Sequence, residues 1–386
     1  MSRQDVSSRQ QTFSLWQQTS LITSTLIGVG ILTLPRSTSA ILYEAGWMSP
    51  VFGSVIAFVS VWMIAKLSQR FPGMTFVEYS TIVWGAKKNS RLGKWLSFPW
   101  ILAYLGFMYL ATGLVSRIFG EVVVTSVLLD TPLEVIIITM FALAFILTLH
   151  DLDVVARINE LLLPLVLLPV LFIALASFQK AEWNNLLPLF RATGPSLLKG
   201  AYEAVYSFSG YEIMLIFFAY AHENKSKVKA GFYGIAITLV VYTLIVVAGI
   251  VVFGYEELQR VAWPTLELVK TTQVPGLILE RLESAFLAVW VTAVFTTVAN
   301  AYYAFIYGLR QLFNRGMGFQ RILSAVMFIP LYFIALWPQN IVELFWISSY
   351  LGVYSLILNL GIPILYLTML FIRDLGRKQK ERNADG

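Results

Sequence analysis

Gly28-Val29-Gly30-Ile31-Leu32-Thr33-Leu34-Pro35 is the stretch whose reading decides the fold. It lies inside a run without charged residues, 10–35, long enough to cross a bilayer as helix. Two glycines one residue apart each cost a helix roughly 1 kcal/mol relative to alanine. Pro35 then fixes φ and brings no N–H. Unpaired backbone groups in lipid cost several kcal/mol, so a break at this depth must be satisfied by protein or face a polar cavity. A helix broken at the midplane, with N–H groups aimed into a cavity, is a device for holding an anionic ligand. A simple kink, or a small-residue packing face, is the alternative reading.

Composition decides where this stretch sits. Hydrophobic residues make up 58% of the chain, charged residues 13%, and the mean hydropathy is +0.72. Soluble domains carry about 25% charged residues, so the chain reads as an integral membrane protein. Cysteine is absent, which excludes disulfides, thiolate metal sites and cysteine lipidation. Only His150 and His222 offer imidazole, both in expected loops, so neither metal nor cofactor is expected. The first apolar run follows Arg3 and Arg9 and is longer than a signal-peptide core, and it reads as retained.

Nine charge-free windows mark spans: 10–35, 45–65, 95–116, 135–150, 161–179, 230–255, 284–309, 322–342 and 344–372. A tenth, 196–221, is apolar but interrupted by Glu203 and Glu212. With ten helices and a cytoplasmic N-terminus, 20 Lys and Arg fall inside and 8 outside, which places both termini in the cytoplasm. The net charge of +6 thereby reflects topology, and no nucleic-acid partner is expected. Arg377, Lys378, Lys380 and Arg382 form a basic tail that is either solvated or set against anionic membrane lipid.

The windows also repeat. Those beginning at 45, 95, 135 and 161 recur at 230, 284, 322 and 344, offset by 183 to 189 residues. Five helices is an odd number, so a second copy enters the membrane from the opposite side, as an inverted repeat. The expected units are 1–195, 196–372 and the cytoplasmic tail 373–386. The partner of the first break then falls near residue 213, where the sequence reads Ser207-Phe208-Ser209-Gly210-Tyr211-Glu212. Paired interruptions at matching positions are the best sequence pointer to a transporter-type site.

The first break, Gly28, Val29, Gly30 and Ile31, offers backbone N–H groups suited to a carboxylate. The second, Phe208, Ser209, Gly210 and Tyr211, offers carbonyls suited to an ammonium group. Together they fit a zwitterionic amino acid. Glu212 would cost roughly 2.5–3.5 kcal/mol if ionised and unpaired within the membrane, which marks it as functional or as a first-turn acid on the helix dipole. The third and eighth helices are expected to complete the pocket with Tyr104, Phe107, Trp290 and Thr292, among which Tyr104 and Thr292 are expected to tune ligand preference. Thr296 and Thr297 offer hydroxyls for a candidate cation site. Asn159 and Glu160 are expected to pair locally with Arg157. No Ser/His/Asp arrangement, phosphate loop or metal-ligand spacing occurs, and no enzyme is expected.

These residues resemble the amino acid–polyamine–organocation superfamily, whose first helix carries a Gly-x-Gly-Ile stretch ahead of proline and whose sixth carries a Phe-small-Gly-aromatic-Glu stretch. More narrowly, the chain resembles the spore germination permease family, the B subunits of bacterial spore germinant receptors. Leu34-Pro35-Arg36, Arg70-Phe71-Pro72-Gly73 with Glu78-Tyr79, Thr131-Pro132 and Val155-Ala156-Arg157 carry that likeness, which spans about Phe13 to Ile372. The resemblance implies an all-α, leucine-transporter-like fold in a spore's inner membrane. It also implies sensing of an amino acid or similar small germinant, beside an A-type membrane subunit and a C-type lipoprotein. The residues themselves leave three readings open: a sensor subunit, a proton- or sodium-coupled amino acid transporter, and a non-binding scaffold.

Overall fold

The structure, a computed structural model, describes residues 12–85, 90–271 and 282–384. Of the basic residues that set the expected topology, Arg3, Arg9, Lys87, Lys88 and Arg281 lie outside the described residues. The rest is helical, with no strand among the described residues. The first break separates α1 (Leu15–Leu26) from α2 (Gly30–Leu42), and a 3₁₀ turn at Tyr43–Trp47 leads into α3 (Met48–Arg70). There follow α4 (Phe76–Gly85), α5 (Arg91–Ser126), α6 (Leu133–Thr148) and α7 (Leu152–Ser177). The second break separates α8 (Gly194–Ser207) from the short α9 (Met214–Phe217). The chain closes with α10 (Ser226–Arg260), α11 (Pro264–Thr271), α12 (Leu282–Leu312), α13 (Met317–Leu336) and α14 (Ile341–Ala384).

Seven helical runs among the described residues are long and apolar enough to cross a membrane, and Leu133–Thr148 and Tyr211–Tyr220 are shorter apolar helices. Their outward faces are greasy at helical spacing. On α7, Leu161, Leu165, Leu168 and Phe172 are exposed, as are Ile322, Val326, Ile329 and Phe333 on α13. Inside, the pattern inverts. α1 opens on a capping box, Ser14 with Gln17, and buries Gln18, Thr19, Ser20, Thr23, Ser24 and Thr25. A helix with that many polar residues is stable in a bilayer only when other helices enclose it, so α1 stands in the middle of the bundle.

The helices run beyond the expected windows, and one expected ion pair is replaced. α4 and α11 fall between the expected spans, because each is too short to register as one. The backbone of α14 runs on through Ala384, so residues 373–384 are helical and continuous with the last span. Arg157 pairs with Asp153 at 2.8 Å, leaving Asn159 and Glu160 to other partners. Asn159 is buried and exchanges two 2.8 Å hydrogen bonds with Asn300 of α12, while Glu160 accepts from Gln17 Nε2 at 3.0 Å. The i,i+4 partner of Arg157 on its own helix was the nearer acid. Finally, α10 bends at Gly254, whose φ of +72° suits glycine. The Val251 carbonyl accepts from Glu182 N at 2.8 Å and Asn185 Nδ2 at 3.3 Å.

Candidate functional site

The geometry of the first break follows from asking where its backbone groups find partners. Five carbonyls at and around it are taken by side chains from other helices. Thr296 Oγ1 donates to Ser24 O at 3.1 Å, and Thr297 Oγ1 donates to Thr25 O at 3.0 Å. Tyr242 Oη reaches Leu26 O at 2.6 Å, and Trp290 Nε1 donates to Gly28 O at 3.1 Å. Thr265 Oγ1 donates to Ile31 O at 2.7 Å. The N–H groups are treated differently. Gly28 N bonds Leu26 O and Leu32 N bonds Val29 O, but Val29, Gly30 and Ile31 N have no backbone acceptor among the described residues. They form the open first turn of α2, the end at which a helix favours an anion.

The second break is acidic. α8 stops at Ser207, Gly210 adopts a φ of +136° open to glycine, and the chain restarts in a 3₁₀ turn at Tyr211–Ile213. Glu212 is buried, and its Oε2 accepts Gly210 N at 2.8 Å and Asn359 Nδ2 at 3.1 Å. Among the described residues no basic side chain pairs with it. Ser355 of α14 hydrogen-bonds Ser209 and accepts from Asn359 Nδ2 at 3.1 Å. The breaks touch: a Cβ on Gly30 would lie 3.3 Å from Ser207 Cα, and one on Gly210 would lie 3.1 Å from Thr25 O.

Between them lies a cavity of about 70 Å³. Gly28, Val29 and Gly30 line it from one side, and Ser207, Ser209, Gly210 and Glu212 from the other. α5 supplies Phe107, Met108, Ala111 and Val115, α12 supplies Thr297 and Ala301, and α14 supplies Leu351.

The other expected site residues lie just behind this wall. Tyr104 is buried and donates to Glu212 O at 3.2 Å, which ties α5 to the second break without reaching the cavity. Phe208 packs on Tyr242 with ring centroids 5.1 Å apart, Tyr211 is buried, and Ile31 faces α11 through its carbonyl. Trp290 braces Gly28 from behind. Thr292 bonds its own helix at Val289 O, 2.6 Å away, and lies off the cavity. The cavity face of α12 runs through Thr297, Val298 and Ala301, and at about 100° per residue Thr292 points elsewhere. Size selection therefore falls to α5. Val115→Leu is expected to re-rank glycine, alanine, valine and leucine by size, with shifts of about 1–3 kcal/mol, while Thr292→Val keeps the ranking. Equilibrium binding over that panel checks both.

The polar supports on α14 escaped the sequence reading. Ser355 and Asn359 stand four apart on one face of the mostly apolar stretch 350–372 of that helix, and that spacing was the available signal.

The comparisons with known proteins agree with this arrangement. The model of a family described as spore germination protein matches residues 12–344. This chain belongs to that family. Spore germination protein YndE of Bacillus subtilis (strain 168) is 30% identical over 365 residues, covering 94% of this chain and 97% of the relative. Spore germination protein B2 of the same organism is 26% identical over 93% of this chain and 95% of its own length. Among solved structures, a Na⁺-coupled sialic acid symporter in a substrate-bound outward-open state superposes with a TM-score of 0.63 at 11% identity, covering 89% of this chain and 77% of the symporter. MhsT in complex with L-phenylalanine gives 0.62 at 11% identity, covering 92% and 97%. At such identities the likeness shows the fold alone: a leucine-transporter-like bundle with two interrupted helices. The chain is an integral membrane protein, germination-related or a transporter; the relatives named are spore germination proteins, and the solved structures of like fold are transporters.

Proposed function

We propose that this protein is the germinant-sensing membrane subunit of a spore germination receptor, binding a small amino acid or similar zwitterion between its two helix breaks. One observation carries the reading: the breaks are complementary in polarity. The first has five carbonyls occupied by side chains of other helices and keeps the N–H groups of Val29, Gly30 and Ile31 for a carboxylate, while the second places a buried, cation-free Glu212 across the cavity for an ammonium group. At about 10–15 Å³ per water-sized group, the cavity takes roughly five to seven non-hydrogen atoms, the size of glycine or alanine. The family supports the remaining assignments, an A-type membrane subunit and a C-type lipoprotein as partners.

A coupled transporter is the second reading, and one observation favours it. Ser24 O, Thr25 O and Ala293 O converge on the hydroxyls of Thr296 and Thr297, which have two protons for three carbonyls. An oxygen-rich cluster of this kind suits a hard cation. Proteoliposomes with labelled glycine and alanine separate the readings. Saturable binding without turnover is the expected result; concentrative uptake makes the protein a carrier, and neither leaves it a scaffold.

The same reading takes 1–195 and 196–372 as two five-helix units inverted with respect to each other, with both termini cytoplasmic. The chain has no cysteine, so single cysteines report cleanly. Lys225→Cys and Asn184→Cys are both exposed and are expected to label from opposite faces, the first from the cytoplasm. Labelling of both from one face removes the arrangement.

A further inference from the structure

Pro35 lies within α2 and has no N–H, so the carbonyl four residues earlier, Ile31 O, has no donor in its own helix. Ile31 is fully buried, and water does not reach it. The donor comes from another element: Thr265, in the first turn of α11, places Oγ1 2.7 Å from Ile31 O, and Thr265 is itself fully buried. The other edge of the same peptide unit is held as well, since Leu32 N donates to Val29 O at 3.1 Å. With both edges fixed, the tilt of the first turn of α2 is fixed. That turn carries the three free N–H groups, those of Val29 and Gly30 from residues that line the cavity.

The anchor for Thr265 extends beyond α2, since α11 also packs against α7, α10 and α12. Leu266, Leu268 and Val269 of α11 are buried, and Trp263, just ahead of it, packs edge-on against Phe345 of α14 with ring centroids 5.7 Å apart. Arg36, next to Pro35, lies 5.3 Å above the same Phe345 ring. The hydroxyl of Thr265 is thus presented from a seated helix to a carbonyl that proline has orphaned.

We propose that Thr265 is the positioning residue of the ligand site: through Ile31 O it sets where the N–H groups of Val29, Gly30 and Ile31 point, and it couples α11 to ligand binding. The proposal rests on the ligand-site reading above and adds the side chain that aims its donors. Coupling of this kind is reciprocal, so a ligand that pulls on the first turn of α2 also pulls on α11.

The orphaned carbonyl makes the idea testable, because replacing proline restores its donor. In Pro35→Ala the new N–H can bond Ile31 O, and the Thr265 hydroxyl becomes dispensable. One cysteine at Ala111, on the cavity wall, reports how often the first turn of α2 loosens through its rate of modification by a small methanethiosulfonate. Thr265→Val is expected to raise that rate about five- to tenfold, the effect of one lost buried hydrogen bond, and to weaken L-alanine binding by a similar factor. Thr265→Ser is expected to match the unsubstituted protein, and Thr265→Val is expected to have less than about a twofold effect in the Pro35→Ala background. An unchanged rate in Thr265→Val overturns the proposal, as does an increase that persists undiminished in Pro35→Ala. If Thr265→Val does not yield folded protein, recovery of folded protein in the double variant supports the latch and failure to recover overturns it. The labelling arm needs no ligand, so an absence of L-alanine binding in the unsubstituted protein counts against the ligand reading and leaves the latch to be judged by the modification rates.

Discussion

Gly30→Leu is expected to give a protein that still inserts into the membrane and no longer binds the amino acid proposed above. A Cβ at residue 30 would meet Ser207 Cα and Cβ at 3.3 Å and Ser207 Oγ at 3.4 Å. Two of those atoms are fixed by the last turn of α8, so the neighbour cannot swing aside. A leucine side chain then has two places to go. It can push the breaks apart, separating the free N–H groups from Glu212. Or it can turn into the cavity, where four carbons at about 10–15 Å³ each occupy roughly 40–60 Å³ of the 70 Å³ present. Either outcome is expected to weaken binding of radiolabelled glycine or alanine by more than about 100-fold. Gly30→Ala, which needs only a few tenths of an ångström, should lose about 5- to 10-fold. Insertion is set elsewhere, by the lipid-facing stripes of helices such as α7 and α13, so size-exclusion profiles should be unchanged. An unaltered affinity in Gly30→Leu would return the glycine pair to helix packing.

The breaks were legible because they violate a rule that little else in a bilayer can violate. Gly28, Gly30 and Pro35 in a charge-free run, and Ser207, Ser209 and Gly210 at the matching depth of an apolar run that carries Glu203 and Glu212, interrupt helices where lipid cannot satisfy the freed groups. The partners of those freed groups were not legible. Thr265, Tyr242 and Trp290 lie more than 200 residues from the carbonyls they serve at the first break, and nothing local in the chain links them. Tyr242 is the clearest instance. Its single hydroxyl faces both Leu26 O at 2.6 Å and Ser207 O at 2.9 Å, so it bridges the last turns of the two half-helices. In the sequence it is one aromatic among many in an apolar helix.

Helix phase explains the intermediate cases. On α5 the cavity face runs Phe107, Met108, Ala111, Thr112 and Val115, and Tyr104 lies one turn below it, on the same face but under Glu212. On α12, Trp290 shares the face of Thr297 seven residues on, whereas Thr292 does not. Mid-depth windows select the right turns of a helix; only the packed bundle selects the side that faces inward.

Glu212→Gln separates the charge of the second break from its shape. The glutamine oxygen can accept Gly210 N–H and the Asn359 amide as the carboxylate does, at 2.8 and 3.1 Å in the unsubstituted protein, so the break keeps its geometry. What disappears is the negative charge opposite the free N–H groups. Removing one partner of a buried, hydrogen-bonded charge pair costs about 2–5 kcal/mol, which is about 30-fold to several-thousand-fold in affinity. The expected result is therefore a thermal midpoint within a few degrees of the unsubstituted protein and an alanine affinity at least 30-fold weaker. Glu212→Ala should behave differently. It strips the acceptor from two buried donors at about 1–3 kcal/mol each, so it lowers the midpoint as well. Propionate, alanine without its amino group, completes the cycle. The unsubstituted protein should prefer alanine strongly, and the preference should shrink in Glu212→Gln, because the carboxylate end still meets Val29, Gly30 and Ile31 while the ammonium end has lost its partner. A Glu212→Gln protein that still discriminates alanine from propionate as well as the unsubstituted protein would move the ammonium group to the carbonyls of Phe208 and Ser209, which accept no backbone N–H among the described residues.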